Sequence, residues 1–529
     1  MSAPFNAWHN PVCVVWDGQK EVTVSLRELF ADAHRFHGLA GSLTPLDRDS
    51  LLRLLYAIGA VILRMVPDSD WPEEAAFPQS GVDAFGAAFS PLFDITGEEN
   101  GDRPFLQRWD RSPADLGLLG APNRSIESII KPLIQLHPHE PGSSSLDWAV
   151  RRDTRNTTTW PVVAQLLVTA WFQTKNGNGQ DPWGGKHLKG SSGTWHTNPL
   201  AIHLVDPTNL ARTLWANIPT SWVERDDLPL FLSPTRPHEP RSLPQDFAIS
   251  PIDSVCRFTY AKTLPLLFVK EGVPLGFVIG EDSTIPVPLL AMDSKESLGL
   301  VHEGDPTRLY TEVTVKGRTE RKPRGSWGAR LSTSEGFEKW FRQENGVSAA
   351  IRGWRSGARL LSPRDDEMHN WQFGLYSETT DGKGNRQWAD WSAVPAVFMS
   401  AGGEALEQIQ RLLALAAECK SAMAFGLRRA TGDSKTPAGL ATTQSAFWSR
   451  TQPAVETLMA EQEQGGLTDE AMRSLASEIR RAALVSFELA TAPLGTPSQI
   501  RHVARAQRWY AGRTLTLLNK SFPSSEEAT

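Results

Sequence analysis

GGEALEQIQRLLALAAECKSAMAFGLRRAT, residues 402–431, marks the place where the chain changes character. Beyond the Gly402-Gly403 pair, apolar residues recur at three- and four-residue spacing, the period that lines one face of a helix. Three more segments of this texture follow at 442–463, 468–492 and 497–520, with glycine-containing breaks between them. Pro453 inside the second of the four predicts a kink. Four helices with short connections are expected to pack as an antiparallel bundle. The reading is therefore an α+β chain: residues 1–401 form a large mixed domain with short antiparallel sheets and helices, and 402–529 form a four-helix bundle.

Upstream of Gly402 strands and helices alternate. PVCVVW (11–16) and KEVTVSL (20–26) are β-rich runs separated by Asp17-Gly18, a hairpin signal. Ser25 then caps a helix, with Glu28 three residues on as its reciprocal partner. A Leu- and Ile-rich helix is expected over about 46–65, and another at PVVAQLLVTAWFQ (161–173), with Pro161 in its first turn. The latter runs into a polar, Gly-rich segment, 175–193. LPLLFV (264–269), LGFVIG (275–280) and RLYTEVTV (308–315) suggest an antiparallel sheet, and KGRTERKPRG (316–325) reads as a basic loop.

With 529 residues, 40% of them apolar and 22% charged, the chain is an ordinary globular protein of two or more domains. Its 19 Trp against 5 Tyr imply many large rings in cores or interfaces. The net charge of −6 argues against a free-standing DNA binder, so any nucleic-acid contact must be local or shared with partners. Cys13, Cys256 and Cys419 lie far apart, which suits a reducing compartment and argues strongly against a cysteine-built zinc site. No signal peptide or membrane span is legible, and the expected location is the cytoplasm.

No enzymatic signature survives inspection. HExxH, GxSxG and GxxxxGK[ST] are missing, and GGKHLKGSS places its lysine out of register for a phosphate cradle. His34, His37, His137 and His139 lack acidic or thiol partners at ligand spacing. Asp226-Asp227 and Asp365-Asp366 read as solvated turns. The residues favour a binding protein that needs no metal and no cofactor.

The string VSLRELFADAHRFHGLAGSLTPLDRDSLLRLLYAI (24–58) resembles the opening of CasA-type large subunits of type I-E CRISPR Cascade complexes. DRPFLQ (102–107) is similar to a short signature of that family. So is the AWFQ-ended helix with its Gly- and Lys-rich sequel, and the terminal bundle matches in order. The resemblance implies a non-enzymatic recognition subunit of an antiviral particle. Its partners would be the other Cascade subunits, the crRNA 5′ handle, target double-stranded DNA and a nuclease–helicase. Such a subunit reads the protospacer-adjacent motif from the minor groove while guide pairing reads the sequence.

The same resemblance implies sites. Gly184, Gly185, Lys186, Lys189 and Gly190 would form a motif-reading loop, where glycine lets backbone approach the groove. Lys295, in MDSKESLG, would act as a lysine finger. The loop between FGLY and RQWADW, starting at Glu378, would be a duplex wedge with Asp381, Gly382, Lys383, Gly384 and Asn385 at its tip. This loop is about two residues longer than the family pattern and lacks its glutamine; a plain DGxG turn is the competing reading. Trp148, Arg151, Arg152 and Arg155 would meet the crRNA end and the adjacent backbone subunit. Arg501, Arg505 and Arg508, spaced i, i+4 and i+7 with Arg513 nearby, would contact a DNA strand, unless they are simply a solvated face. A nucleic-acid-processing enzyme with a diverged site around His137 or His139, and a purely structural scaffold, remain the alternatives.

Overall fold

The computed structural model describes residues 5–72, 75–97, 104–107, 133, 159–173, 179–180, 187–188, 200–232, 255–259, 263–270, 273–281, 310–315, 318–323, 358–364, 367–380, 386–396, 404–432, 439–463, 468–494 and 497–523. Two compact units divide the chain. The first comprises Met1–Ser326, Ala350–Pro363 and Gly374–Trp391, and the second Trp327–Ala349, Arg364–Phe373 and Ser392–Thr529.

The first unit opens with β1 (Cys13–Trp16) and β2 (Glu21–Val24), paired antiparallel from Cys13↔Val24 to Trp16↔Glu21. Their turn is set locally. The Asp17 carboxylate accepts from the backbone N–H groups of Gln19 and Lys20, and Gly18 takes φ +95°, which only glycine adopts without strain. β3 (Gly38–Leu39) adds to β1. Helix α1 (Leu26–Ala31) begins on the capping box read from the sequence: Glu28 N–H donates to Ser25 Oγ at 3.1 Å and Ser25 N–H to Glu28 Oε2 at 2.8 Å.

Helix α2 (Pro45–Arg64), capped by Thr44, is the axis of this unit. Nearly every residue from Leu46 to Leu63 is buried, because other elements cover it on all sides. α3 (Gln79–Phe89), α4 (Trp160–Phe172), α5 (Leu210–Asn217) and α6 (Thr220–Glu224) all pack on it. A fully buried Leu or Ile contributes about 1.5–3 kcal/mol through removal from water, so this helix anchors the core. Two glycines permit the close packing: a Cβ on Gly81 would lie 2.8 Å from the Ile62 carbonyl oxygen, and one on Gly59 would lie 3.0 Å from the Phe77 ring. Trp8, Phe85, Phe93 and Phe105 continue the core as tilted or edge-on rings with centroids 4.7–5.9 Å apart.

Beyond α4 come the short strands β4 (Gly179–Gln180) and β5 (His187–Leu188), paired with each other, and β6 (Leu200–Val205). The short helix α7 (Val255–Phe258) precedes a hairpin of β7 (Thr263–Lys270) and β8 (Val273–Glu281). A second hairpin pairs β9 (Tyr310–Val315) with β10 (Arg318–Pro323). Two readings are corrected here. The runs over 264–315 build two separate two-stranded sheets rather than one. Most of the basic loop 316–325 is strand β10, since Arg318 to Lys322 pair residue for residue with the β-branched partner strand, and charge on an unpaired edge is compatible with a ladder. Strands β11 (Gln372–Thr380) and β12 (Arg386–Pro395) join β6 in the order β12-β11-β6. Glu378, Thr379 and Thr380, read as the start of a loop, belong to β11.

The second unit is dominated by α8 (Glu404–Thr431), α9 (Leu440–Glu463), α10 (Asp469–Thr491) and α11 (Pro497–Ser521). α9 continues as one helix through Pro453. α8 packs against the other three, and α10 also packs against α9 and α11. α8 and α11 are antiparallel: Arg411 donates to the Ser521 carbonyl at 2.7 Å, while further along Tyr510 O–H donates to the Cys419 carbonyl at 3.0 Å. Among the described residues no helix is long and apolar enough to cross a membrane, and no His, Cys, Asp and Glu side chains gather in a metal-holding group.

Candidate nucleic-acid interface

The connection 174–199, which carries Gly184, Gly185, Lys186, Lys189 and Gly190, leaves the end of α4 and returns at the start of β6. Both of its roots are tied to one carboxylate. Asp49, on α2 and fully buried, accepts at Oδ2 from Arg53 Nε (2.8 Å) and from the side-chain amide of Gln173, the residue that ends α4. Its Oδ1 stands 2.9 Å from Nε2 of His203 in the middle of β6. Two residues back on α2, Asp47 accepts from Thr169 Oγ1 of α4 and from its own cap Thr44 Oγ1, both at 2.6 Å.

The proton positions in this network follow from its chemistry. A carboxylate only accepts, so His203 Nε2 carries the proton shared with Asp49. His203 Nδ1, 2.9 Å from the Tyr56 hydroxyl, then accepts from that phenol. Burial drives the His203 pKa below its ordinary value against the opposing pull of Asp49, and the ring is neutral. Burial also opposes ionisation of Asp49, but the Arg53 guanidinium and the His203 bond outweigh it and hold the carboxyl below the usual range. Tyr56 is held protonated by burial and by the Asp49 charge. Tyr56, His203 and Asp49 have the donor order of a catalytic relay, and each is 0% exposed, so the network ties buried parts of α2 and β6 together as a clamp. The sheet covers the far side: the Trp391 ring of β12 stacks on His203 at 5.3 Å, and Arg48 lies over Trp391 at 5.2 Å.

Other sequence signals take structural positions nearby. In DRPFLQ, Phe105 and Leu106 are core residues, and Gln107 bridges two segments by donating to the Ile95 carbonyl and accepting from Leu267 N–H of β7. In AWFQ, Trp171 Nε1 donates to the Thr259 carbonyl at 2.9 Å. Asp227, read as part of a solvated turn, instead accepts from the Cys256 N–H of α7 at 3.0 Å.

Of the candidate site residues, Gly184, Gly185, Lys186, Lys189, Gly190, Lys295, Trp148, Arg151, Arg152, Arg155 and Asp381, Gly382, Lys383, Gly384, Asn385 lie outside the described residues. The chain order around them is informative. Gly184 to Lys186 fall between the paired strands β4 and β5, and Asp381 to Asn385 fall between the neighbouring strands β11 and β12.

Arg501, Arg505 and Arg508 are described, all exposed on α11. At 100° per residue they span roughly a 60° arc, opposite the buried face of Ala506, Tyr510 and Thr514. Arg513, five residues beyond Arg508, is also exposed but lies at the margin of this face, outside the arc. None of the four is within salt-bridge distance of a described carboxylate, so this face concentrates positive charge in a protein of net charge −6.

Sequence reading passed over Asp49, Arg53, His203 and Gln173 as a unit. One signal was available: Asp47, Asp49 and Arg53 interrupt a helix otherwise rich in Leu and Ile, and Asp49 and Arg53 are one turn apart. Their partners, 124 and 154 residues away, were not legible.

Comparison with known proteins agrees with this architecture. Residues 9–259 match the family model described as CRISPR-associated protein Cse1. A Thermus thermophilus CasA superposes with a TM-score of 0.66 at 18% identity, covering 97% of this chain and 99% of that one. Thermobifida fusca Cse1 gives 0.67 at 16% identity, covering 98% of each. A chain of a structure described as a CRISPR RNA-guided surveillance complex gives 0.62 at 14% identity, with 96% and 99% covered. At these identities the likeness establishes a shared fold. No curated protein matches in sequence.

Proposed function

Because residues 9–259 match the family model of CRISPR-associated protein Cse1, we propose that the chain is the DNA-recognition subunit of an RNA-guided CRISPR surveillance complex of the Cascade type. The observation that carries the reading is the family match together with the shared fold over 96% of the chain with a subunit of such a complex. In this role the protein is a non-enzymatic reader. It inspects the motif beside the target through Gly184, Gly185, Lys186, Lys189, Gly190 and Lys295, and opens the duplex with the connection Asp381 to Asn385. It meets the crRNA 5′ end through Trp148, Arg151, Arg152 and Arg155, holds a DNA strand on Arg501, Arg505 and Arg508, and offers a surface to the nuclease–helicase.

Two features support it. Minor-groove reading needs a loop whose backbone approaches closely but whose base is rigid, and the Asp49 clamp fixes both ends of the 174–199 connection. The exposed arginines of α11 give local phosphate affinity to a chain whose net charge is negative.

The test is duplex binding by the crRNA-loaded complex with and without this subunit, across a panel of flanking trinucleotides at fixed salt. Flank-dependent binding should require the subunit and should weaken on charge reversal of Lys186, Lys189 or Lys295. Unchanged binding without the subunit would leave it a scaffold; divalent-metal-dependent cleavage by the purified chain would instead make it an enzyme.

A further inference from the structure

On the bundle a second feature stands apart from the motif-reading loops. Phe425 of α8 and Trp509 of α11 meet with ring centroids 4.9 Å apart, and the Arg429 guanidinium carbon lies 5.1 Å from each centroid. Phe425 is 47% exposed, Arg429 is exposed and Trp509 half-buried, so aromatic surface and a cation share one accessible patch. Arg505 and Arg513 lie one turn before and one turn after Trp509 on the same helix, both exposed.

The patch is built rather than incidental. Gly426, next to Phe425, lets α8 approach its neighbours: a Cβ there would fall 2.7 Å from the Phe487 ring and 3.6 Å from Trp509 Cζ3. Tyr510, adjacent to Trp509, is locked by its stack on Phe487 at 4.4 Å and by its hydrogen bond to the Cys419 carbonyl. The backbone under Trp509 is thereby fixed, and the ring is pre-positioned without help from a ligand. Arg429, Arg505 and Arg513 make no ion pair with a described carboxylate.

We propose that Phe425, Trp509 and Arg429 form a stacking platform for an unpaired base of single-stranded nucleic acid, with Arg505 and Arg513 taking the flanking phosphates. Exposed rings interleaved with cations are the chemistry of sequence-tolerant single-strand binding, since every base has a π-face and the phosphates repeat. A paired duplex has no free base face, so the platform discriminates strand from duplex, which arginines alone do not. The proposal rests on the reading that this chain works on DNA, and it adds the form of DNA that the bundle selects.

The experiment is fluorescence anisotropy of a labelled oligothymidylate and of a labelled duplex of equal length with the full chain at fixed salt. Phe425→Ala and Arg429→Gln should each weaken oligothymidylate binding about tenfold and duplex binding about twofold or less. Trp509→Phe should retain most of the affinity, and Arg505→Gln with Arg513→Gln should weaken both ligands and flatten the salt dependence. Because Phe425 is half exposed, an unchanged melting curve will show that the variant folds. Parent-like oligothymidylate binding by Phe425→Ala and Arg429→Gln overturns the proposal. So does equal weakening of strand and duplex, which indicates charge alone, or a parent chain that ignores oligothymidylate, which indicates a protein occupant. Loss of flank discrimination with this binding intact would sink the proposed function and leave the platform standing; the reverse outcome would do the opposite.

Discussion

Asp49→Ala removes a buried carboxylate that meets Arg53, Gln173 and His203 at once. The Arg53 side chain is only 5% exposed, so the substitution removes a carboxylate that its buried guanidinium bonds at 2.8 Å. Stripping one member from a buried pair costs about 3–5 kcal/mol. For a large domain each kcal/mol moves the midpoint by about 2–4 °C, so the melting transition of the first unit should fall by roughly 6–20 °C. Differential scanning calorimetry of the full chain reads this directly, and the transition of the helical unit should stay in place. Adding Arg53→Met removes the buried charge opposite the lost carboxylate, and the double variant should recover a substantial part of the loss. Flank-dependent DNA binding should weaken in the single variant even below its melting range, because both roots of the 174–199 connection lose their tie. A single variant melting within about 1 °C of the parent would refute the clamp, as would a double variant no more stable than the single.

Acidification should act on the same network. His203 has a folded-state pKa below its ordinary value, so its contribution is complete above about pH 6.5 and is lost as pH falls through the folded value. Asp49, also depressed, adds a second loss below its unfolded value of 3.8, so thermal midpoints of the first unit should hold above about pH 6.5, decline below it, and fall again below about pH 3.8. Gly426→Ala and Gly512→Ala should have opposite signs in urea titration. The first drives a methyl to 2.7 Å from Phe487 and should destabilise by about 1–3 kcal/mol, whereas the second meets nothing within 4 Å and should stabilise by about 0.5–1 kcal/mol. Ser25→Ala should cost about 1 kcal/mol in the same assay, since it removes the hydroxyl that receives the Glu28 N–H.

The sequence by itself determined whatever depends on residues close together along the chain. The Asp17-Gly18 hairpin and the Ser25–Glu28 box each close within a few residues, and the structure places both where the pattern did. α8 runs Glu404–Thr431 as the 3.6-residue period of 402–431 implied, because backbone bonding and one apolar stripe are local properties. The spacing of Arg501, Arg505 and Arg508 along one helix face was visible for the same reason. Strand partnership was read less well. The run at 316–325 looked like a loop because its charges hide the alternation, and only its pairing with Tyr310–Val315 makes it a strand.

Tertiary structure alone decided the rest. Asp49 sits in the sequence as one acid among many, and its meaning comes from Gln173 and His203, brought to it across 124 and 154 residues. Phe425 and Trp509 are ordinary residues on separate helices until antiparallel packing sets their rings 4.9 Å apart with Arg429 over both. Hydrogen bonding, ion pairing and ring contact act over a few ångströms of space, and distance along the chain does not report that separation.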